Sequence, residues 1–211
     1  PATLEVDGTV QSLLASGYLG KLLAVELHVL QGFADPKAPL HWRQDKTLSG
    51  HNILAMGIWV ECLQRWLGQP ARVMASGLTS VTERPDAAGQ LKPVTMPDHV
   101  DVLATYRDGA IAHLRFSAVT GFAPPIELWL FGSEGTLKFE AAAERLLGGR
   151  RGEPALQEIH IPKEKRVGWR VEEEFINAIR GREKITHTSF EDGVQYMEFT
   201  EAVVRSMAEG R

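Results

Sequence analysis

The spacing of apolar residues predicts one long helix in the first half of the chain. After the turn signal Ser49-Gly50, apolar residues recur at every third or fourth position up to Gly68, as they do on one face of a helix. This apolar row consists of Ile53, Met56, Val60, Leu63 and Leu67. A second row on an adjacent face consists of His51, Ala55, Trp59, Cys62 and Trp66. We therefore expect this helix to bury one face in a core and to turn the other toward a second surface.

A two-residue period elsewhere in the chain predicts half-buried strands. The segment 21–30 has one apolar and one polar face. Its apolar face consists of Val25, Leu27 and Val29, and its polar face of Glu26 and His28. The same period predicts strands over residues 72–81, 98–106, 110–119, 125–131 and 136–139, and weaker ones over 145–147 and 156–161.

Turn and cap signals separate these elements. The Asp-Gly pair at 108–109 supplies the positive φ of a tight hairpin turn. Residues 82–97 contain three prolines and a glycine and are predicted to form an exposed loop. Asp7 can cap a short helix at the start of the chain, and Ser189 with Asp192 forms a pair similar to a capping box.

Helices at both ends of the chain and strands in its middle indicate an α+β fold. A short helix is predicted to end at Gly17, and two more helices are predicted over residues 169–180 and 190–208. We predict a large, mostly antiparallel open sheet with helices packed on one face, and we expect residues 1–211 to form a single domain. The other face of the sheet should be open or covered by a partner.

Composition limits the classes of function. Of the 211 residues, 44% are hydrophobic and 24% are charged, and the net charge of −4 gives no general attraction to nucleic acid or to anionic lipid. These 211 residues show no signal-peptide pattern and no apolar run long enough to cross a bilayer. The single cysteine, Cys62, excludes an internal disulfide framework and fits a cytoplasmic location. The chain starts at Pro1 without a methionine, so we expect a domain of a longer protein.

Several catalytic motifs are missing from the sequence. The segment Gly132-Ser133-Glu134-Gly135 is too short for the G-x-G-x-x-G fingerprint and falls within a predicted hairpin. No H-x-x-x-H or C-x-x-C spacing occurs, so no metal site is predicted. Ser49 and Ser133 lie in predicted turns without the pattern of a nucleophile elbow.

Two groups of polar residues are candidates for a binding surface. The first group lies in the loop and at the start of the long helix and consists of His41, Trp42, Arg43, His51 and Asn52. The second group lies on predicted strands and consists of Glu26, His28, His113, Arg115 and Ser117. Because the last three alternate with Ala112, Leu114 and Phe116, they should share one face of the sheet. A hydrated or partner-facing sheet surface is the alternative explanation for the second group.

The long helix carries a resemblance to a known family. The turn Ser49-Gly50, the residue Gly57 and the exit Trp66-Leu67-Gly68 are similar to the helix that opens the second half of the Gfo/Idh/MocA oxidoreductases. That helix carries Asp-x-Gly-x-His in the family. Here the Asp falls on Ala55 and the His on Trp59, and neither side chain can transfer a proton. The similarity extends over nearly all of the chain, but only over the C-terminal domain of the family.

The resemblance implies hydride transfer between a nicotinamide and a carbon that bears a hydroxyl or carbonyl group, typically on a sugar or cyclitol. NAD or NADP would be bound mainly by an N-terminal domain that is missing from this sequence, together with a catalytic lysine, so this chain alone should bind the cofactor poorly. The implied substrate wall consists of His28, Trp42, Arg43, His51, Asn52 and Trp59. The open sheet face implies a homodimer or homotetramer.

Two of these residues have alternative roles. His51 precedes Ala55 by four residues and could replace the missing base, or it could bond a neighbouring loop. Trp59 could stack on a sugar ring or fill the core. The substitutions at 55 and 59 also favour a second hypothesis, in which the protein is a catalytically silent relative that serves as a ligand-binding, structural or regulatory subunit. A third hypothesis is that the segment is only a dimerisation module.

Overall fold

A computed structural model describes residues 4–124, 126–163, 166, 168–186 and 189–210. Within them, eight strands form one sheet and two short strands form a separate hairpin. The strands of the large sheet are β1 (Leu22–Leu30), β2 (Arg72–Leu78), β5 (His99–Thr105), β6 (Ile111–Ser117), β7 (Glu127–Gly132), β8 (Gly135–Glu140), β9 (Arg145–Arg150) and β10 (Gln157–Glu158). The hairpin consists of β3 (Glu83–Pro85) and β4 (Leu91–Pro93). The helices are α1 (Asp7–Ala15), α2 (Lys46–Ser49), α3 (Met56–Leu67), α4 (Val171–Ile179) and α5 (Phe190–Glu209).

The large sheet is mostly antiparallel, as predicted, but it contains one parallel pair. Its strand order is β10-β9-β8-β7-β1-β6-β5-β2, and β1 runs parallel to β6 while the other neighbours run antiparallel. A parallel pair needs a long connection, and residues 31–110 provide it. The α+β class is therefore confirmed, and the central position of β1 is the detail that strand periodicity does not give.

Alternation along the strands places the apolar face of the sheet in the core, as predicted. On β1 the buried residues are Val25, Leu27 and Val29, and on β6 they are Ala112, Leu114 and Phe116. These side chains belong to one cluster with the buried residues of α1, α3 and α5. Burying each such side chain contributes about 1.5–3 kcal/mol, so this face supplies most of the driving force for folding.

The predicted long helix after residue 49 begins later than expected. The short helix α2 ends at Ser49, before Gly50 with its φ of 60°, and Leu54 also has a positive φ of 47°, so α3 begins only at Met56. The prediction that His51 and Ala55 lie on the same helix is therefore wrong. The backbone leaves the helical region here while Ile53, which is fully buried, enters the core.

α3 buries both of its predicted rows. Met56, Val60 and Leu63 are buried as expected, but the second row is buried as well, through Trp59, Cys62 and Trp66. The helix packs against α1, α5 and the sheet, so it has a broad buried surface. Burial also raises the pKa of the free Cys62 thiol, which keeps the sulfur protonated.

Asp7 connects α1 to α3 instead of capping α1. It lies inside the helix, makes no cap hydrogen bond and is only 2% exposed. Its carboxylate accepts hydrogen bonds from Trp66 Nε1 at 2.7 Å and Arg65 Nε at 2.9 Å, and from Gln11 Nε2 at 2.9 Å. The buried charge is therefore fully paired, which is the condition under which a carboxylate is tolerated in a core.

The C-terminal helix has the predicted capping box. The hydroxyl of Ser189 accepts the backbone N–H of Asp192, and the Asp192 carboxylate accepts the backbone N–H of Ser189. Further along α5, the ring of Tyr196 packs against Gly57 of α3, where a Cβ atom would lie 3.3 Å from the ring. The glycine thus gives α5 room to pack closely against α3.

The predicted loop over residues 82–97 contains the β3–β4 hairpin, so that prediction is corrected. Glu83 pairs with Pro93, and Pro85 pairs with Leu91. At the turn, the Asp86 carboxylate accepts backbone hydrogen bonds from residues 88 and 90. Asp86 and Gly89, whose φ is 79°, are typical turn residues. Pro85 and Pro93 are tolerated because β3 and β4 have no further strand neighbours.

We predict that Asp7→Ala lowers the free energy of unfolding by about 2–4 kcal/mol, because it leaves the indole N–H of Trp66 and the guanidinium of Arg65 without their acceptor. Urea denaturation followed by circular dichroism measures this. Glu198→Ala, on the exposed face of α5, is the matched control and should change the value by less than about 0.5 kcal/mol. Equal effects of the two substitutions would contradict a structural role for Asp7.

Candidate functional site

A cavity of about 520 Å³ lies beside the first turn of α3. Leu54, Ala55 and Ile58 form the wall that belongs to this helix and its approach. The loop after β1 forms a second wall through Gln31, Phe33, Asp35, His41, Arg43 and Gln44. Ala118 and Val119, which follow β6, also line it. The cavity therefore lies where the parallel strands β1 and β6 both end.

Local hydrogen bonds fix the loop that carries His41 and Arg43. The short 3₁₀ turn Trp42–Gln44 is capped by His41, whose Nδ1 accepts the backbone N–H of Arg43 at 3.2 Å. Gln44 Oε1 accepts the backbone N–H of His41 at 2.9 Å. The guanidinium of Arg43 lies 4.3 Å from the centre of the Trp42 ring, a cation–π contact. The positive charge at the cavity is therefore held in place by its neighbour.

The β3–β4 hairpin provides Arg84, which lines the cavity and is 7% exposed. Its Nη1 donates to the carbonyl oxygens of Asp35 and Ala38, so Arg84 supports the loop that follows β1. The backbone N–H of Leu40 donates to the carbonyl oxygen of Pro85 at 2.8 Å and joins the same loop to the hairpin. The hairpin is therefore part of the cavity wall.

Asp98 is a buried carboxylate at the edge of the same cavity. It accepts hydrogen bonds from the Ser80 hydroxyl at 2.6 Å, from the Ser80 backbone N–H at 3.0 Å and from the Val81 backbone N–H at 3.3 Å. Ser80 and Val81 follow the end of β2, so these hydrogen bonds join Asp98 to the turn after that strand. Asp98 forms no ion pair with Arg84.

The predicted substrate residues lie in three places. Arg43 lines the cavity. Trp42 lies beside Arg43, but it lines an adjacent cavity with Leu48. Asn52 is half-buried between α2 and α3, where its backbone N–H donates to the carbonyl oxygen of Ser49 at 3.2 Å.

The other predicted residues lie away from this cavity wall. Trp59 is 7% exposed and belongs to the hydrophobic core. His28 lies on the open sheet face, opposite Arg115 and Glu127 on the neighbouring strands.

His51 is paired with α5. Its Nδ1 makes a short contact with the carboxylate of Glu201, which also accepts from Arg205 Nε at 3.0 Å. The hydrogen bonds from Arg205 and His51 lower the pKa of Glu201. Within the described residues, His51 Nε2 has no hydrogen-bond partner. The imidazole is thus oriented by a carboxylate on one nitrogen, and the other nitrogen is available.

The open sheet face carries a charged network centred on Asp101. Its carboxylate lies 2.7 Å from Arg115 Nε, 3.0 Å from His99 Nε2 and 3.4 Å from His113 Nε2. Burial acts to raise the pKa of Asp101, but the hydrogen bonds from Arg115 and His99 outweigh it, and the pKa is lowered. Arg115 and His113 share this face, as predicted, but both side chains contact Asp101 within the face.

The remaining part of the open face is a mixture of ion pairs and exposed apolar residues. Lys138 lies 2.7 Å from Glu127 and 2.6 Å from Glu140, and its ammonium is 4.6 Å from the centre of the Trp129 ring. Along the other half of the face, four large apolar side chains are about half exposed, and they are Met74, Leu78, Leu103 and Ile111. Such a surface is typical of a contact between proteins.

Periodicity could not identify several of the cavity residues. Arg84 and Asp35 are far apart in sequence, and they meet only because the hairpin folds against the loop after β1. In the described part of the chain, no group of three or more His, Cys, Asp or Glu side chains could hold a metal ion. None of the described helices has the length and the apolar composition that a membrane span requires.

Solved structures with the same fold are oxidoreductases and a regulatory protein. Levoglucosan dehydrogenase in complex with NADH and levoglucosan is 20% identical with a TM-score of 0.85, and the match covers all of this chain and 63% of that one. An oxidoreductase domain protein from Kribbella flavida is 25% identical with a TM-score of 0.83, over 100% of this chain and 63% of its own. The super-repressor mutant of Gal80p from Saccharomyces cerevisiae is 17% identical with a TM-score of 0.76, over 99% and 62%.

The chain thus spans less than two thirds of the length of these relatives. No curated protein matches the sequence significantly. The sequence profile of the GFO/IDH/MocA C-terminal domain matches residues 8–138, which is more than half of the chain. The profile match includes β1, α3 and β6, which surround the cavity. The chain belongs to the GFO/IDH/MocA C-terminal domain family.

Proposed function

We propose that residues 1–211 are the substrate-binding and dimerisation domain of a nicotinamide-dependent oxidoreductase that acts on a sugar- or cyclitol-like substrate. The observation that carries this proposal is the cavity of about 520 Å³ beside Ala55. The family resemblance puts an aspartate at this position, where it could transfer the proton of a substrate hydroxyl. A cavity there, in a chain of this family, is therefore the best candidate for the substrate site.

The chain's own residues suit the substrate side of such a reaction. Gly132-Ser133-Glu134-Gly135 forms the turn between β7 and β8, so it does not connect a strand to a helix as a dinucleotide-binding loop does. NAD or NADP would therefore be held mainly by an N-terminal domain, and it supplies or accepts the hydride when bound. The NADH in the levoglucosan dehydrogenase structure supports this class of cofactor.

The cavity offers both polar and apolar contacts to a sugar. Arg43 and His41 can donate to hydroxyl oxygens, while Leu54 and Ile58 can cover the C–H face of a ring. Trp42 would contribute by holding the guanidinium of Arg43. Asn52, His28 and Trp59 stay predictions as substrate contacts, and the core position of Trp59 favours a packing role.

His51 is the candidate base of the proposed site. The contact between its Nδ1 and Glu201 is the arrangement by which a carboxylate orients a catalytic imidazole. Nε2 would then receive the proton of a substrate hydroxyl. Because His51 does not line the cavity, this role requires the substrate to extend past Leu54 or a water molecule to relay the proton.

A catalytically silent relative is the second candidate function. Position 55 carries a side chain without a titratable group, and position 59 is a core tryptophan. The fold similarity to the super-repressor mutant of Gal80p supports this alternative. The sequence upstream of the chain discriminates between the two candidates, because a glycine-rich loop with an intact catalytic lysine favours an enzyme.

The open sheet face is the proposed surface for a second copy of the chain. Its half-exposed Met74, Leu78, Leu103 and Ile111 could bury one another across a two-fold axis. Leu103 is next to His113 and Met74 in the register of the sheet, so it lies within the face and not at its edge. Here we expect a homodimer or a homotetramer.

We predict that Ala55→Phe in the complete protein raises the dissociation constant of the sugar by at least about tenfold, because the larger ring occupies the cavity. A panel of sugars and cyclitols with NAD(H) and NADP(H), followed by the absorbance of the reduced nicotinamide and by calorimetric titration, measures this. Ala88→Phe, on the exposed turn between β3 and β4, is the matched control. Normal sugar binding by Ala55→Phe would exclude the cavity as the site.

We predict that His51→Ala lowers the rate of hydride transfer on the order of a hundredfold at neutral pH. Glu201→Gln should cause a smaller loss, because the imidazole keeps a hydrogen-bond partner. Single-turnover kinetics on the complete protein measures both rates. A loss below a few-fold in His51→Ala, with lower thermal stability in both variants, would mean that the pair only ties α5 to the start of α3.

We predict that Leu103→Glu shifts the protein to monomers in sedimentation velocity, because it places unpaired charges in the interface. Leu91→Glu changes an even more exposed leucine on β4, outside the large sheet, and should leave the association unchanged. If the unmodified chain sediments as a monomer at high concentration, or if both variants behave alike, the open face is not the interface.

A further inference from the structure

Arg84 is a buried cation without a counter-ion. It is the central residue of β3, it is 7% exposed, and within the described residues it forms no ion pair with a carboxylate. An arginine side chain stays charged under all conditions in which the protein is folded. A buried charge that is not paired is strongly unfavourable, so this position requires an explanation that packing alone does not give.

The carboxylates that share the cavity with Arg84 have other partners. Asp98 accepts hydrogen bonds from Ser80 and Val81. Asp35 is exposed, and its carboxylate accepts the backbone N–H of Lys37 at 2.9 Å. Arg84 reaches only the backbone carbonyl of Asp35. Neither carboxylate therefore forms an ion pair with the guanidinium.

Only one nitrogen of the Arg84 guanidinium, Nη1, donates hydrogen bonds to the described residues. Its two hydrogen bonds, to the carbonyl oxygens of Asp35 and Ala38, come from Nη1. Among the described residues, buried Nε has no hydrogen-bond partner, and none of them accepts a hydrogen bond from Nη2. Nε and Nη2 together form the edge of a guanidinium that matches the two oxygens of a carboxylate. The structure thus holds this edge in position while its own groups leave it unpaired.

We propose that Arg84 binds an oxyanion on the substrate, so that the cavity selects an acidic sugar derivative over a neutral sugar. The Nε–Nη2 edge would receive the two oxygens of a carboxylate, or two oxygens of a phosphate ester, after a shift of the side chains that cover the buried Nε. Arg43, on the loop that Arg84 braces, adds a second positive charge to the same cavity. This inference rests on the proposed function, because it assigns a substrate class to the same cavity.

Titration of the 211-residue chain tests the inference without hydride transfer. The ligands are D-gluconate, D-glucuronate, D-glucose 6-phosphate and neutral D-glucose, and the readout is the NMR signal of the Arg84 Nε–H, assigned by its loss in Arg84→Lys. We expect the acidic ligands to shift this signal and to bind at least about tenfold more tightly than D-glucose. Preference for D-gluconate and D-glucuronate identifies a carboxylate as the group, whereas preference for D-glucose 6-phosphate identifies a phosphate.

Two variants separate anion binding from support of the loop. Arg84→Lys keeps the charge but lacks the two-donor edge, so the tenfold preference should fall while the backbone amide spectrum of the loop stays folded. Arg72→Met removes an exposed arginine from β2 and should leave the preference unchanged. If acidic ligands bind no better than D-glucose and leave the Nε–H signal in place, Arg84 only braces the loop and the inference is overturned.

The outcomes for the proposed function differ from these. Reduction of NAD or NADP by the complete protein with neutral sugars, combined with no acid preference, would overturn the inference and leave the oxidoreductase intact. Acid binding through Arg84 without hydride transfer to either cofactor would keep the inference and favour the silent relative.

Discussion

The structure depends on the burial of one face of the eight-stranded sheet beneath α3 and α5. α3 lies between the sheet, α1 and α5. It therefore buries Trp59 and Trp66 together with its first apolar row. The same arrangement leaves the opposite face of the sheet exposed. It also brings the first turn of α3 to the point where β1 and β6 end, and the cavity lies there.

Much of the fold follows from local periodicity. Alternation assigned Val25 and Leu114 to the buried face, and the capping pair Ser189 and Asp192 marked the start of α5. Features that depend on contacts between distant parts of the chain could not be predicted from local periodicity. β1 pairs with β6 in parallel because of a long connection, and α3 starts late because Ile53 is drawn into the core with Leu54 at positive φ.

The candidate site was less predictable than the fold, since its walls come from segments that are distant in sequence. Arg43 and His41 could be selected because polar and aromatic residues cluster in one loop. Arg84 could not, because it is buried only when the β3–β4 hairpin folds against that loop. Trp59 was selected because the family resemblance places a catalytic residue at this position. In the structure, the packing of α3 makes Trp59 part of the hydrophobic core.

The position of β1 has a consequence for how the chain acquires its structure. β1 is the first strand of the sheet in chain order, yet its neighbours β6 and β7 extend from residue 111 to residue 132. On a ribosome, the earliest strand must therefore wait until these later strands have emerged, and its apolar residues stay accessible to chaperones in the meantime. Sheets with such distant pairings fold slowly. During synthesis, the centre of the sheet can therefore be completed only after the β5–β6 hairpin at its side has emerged.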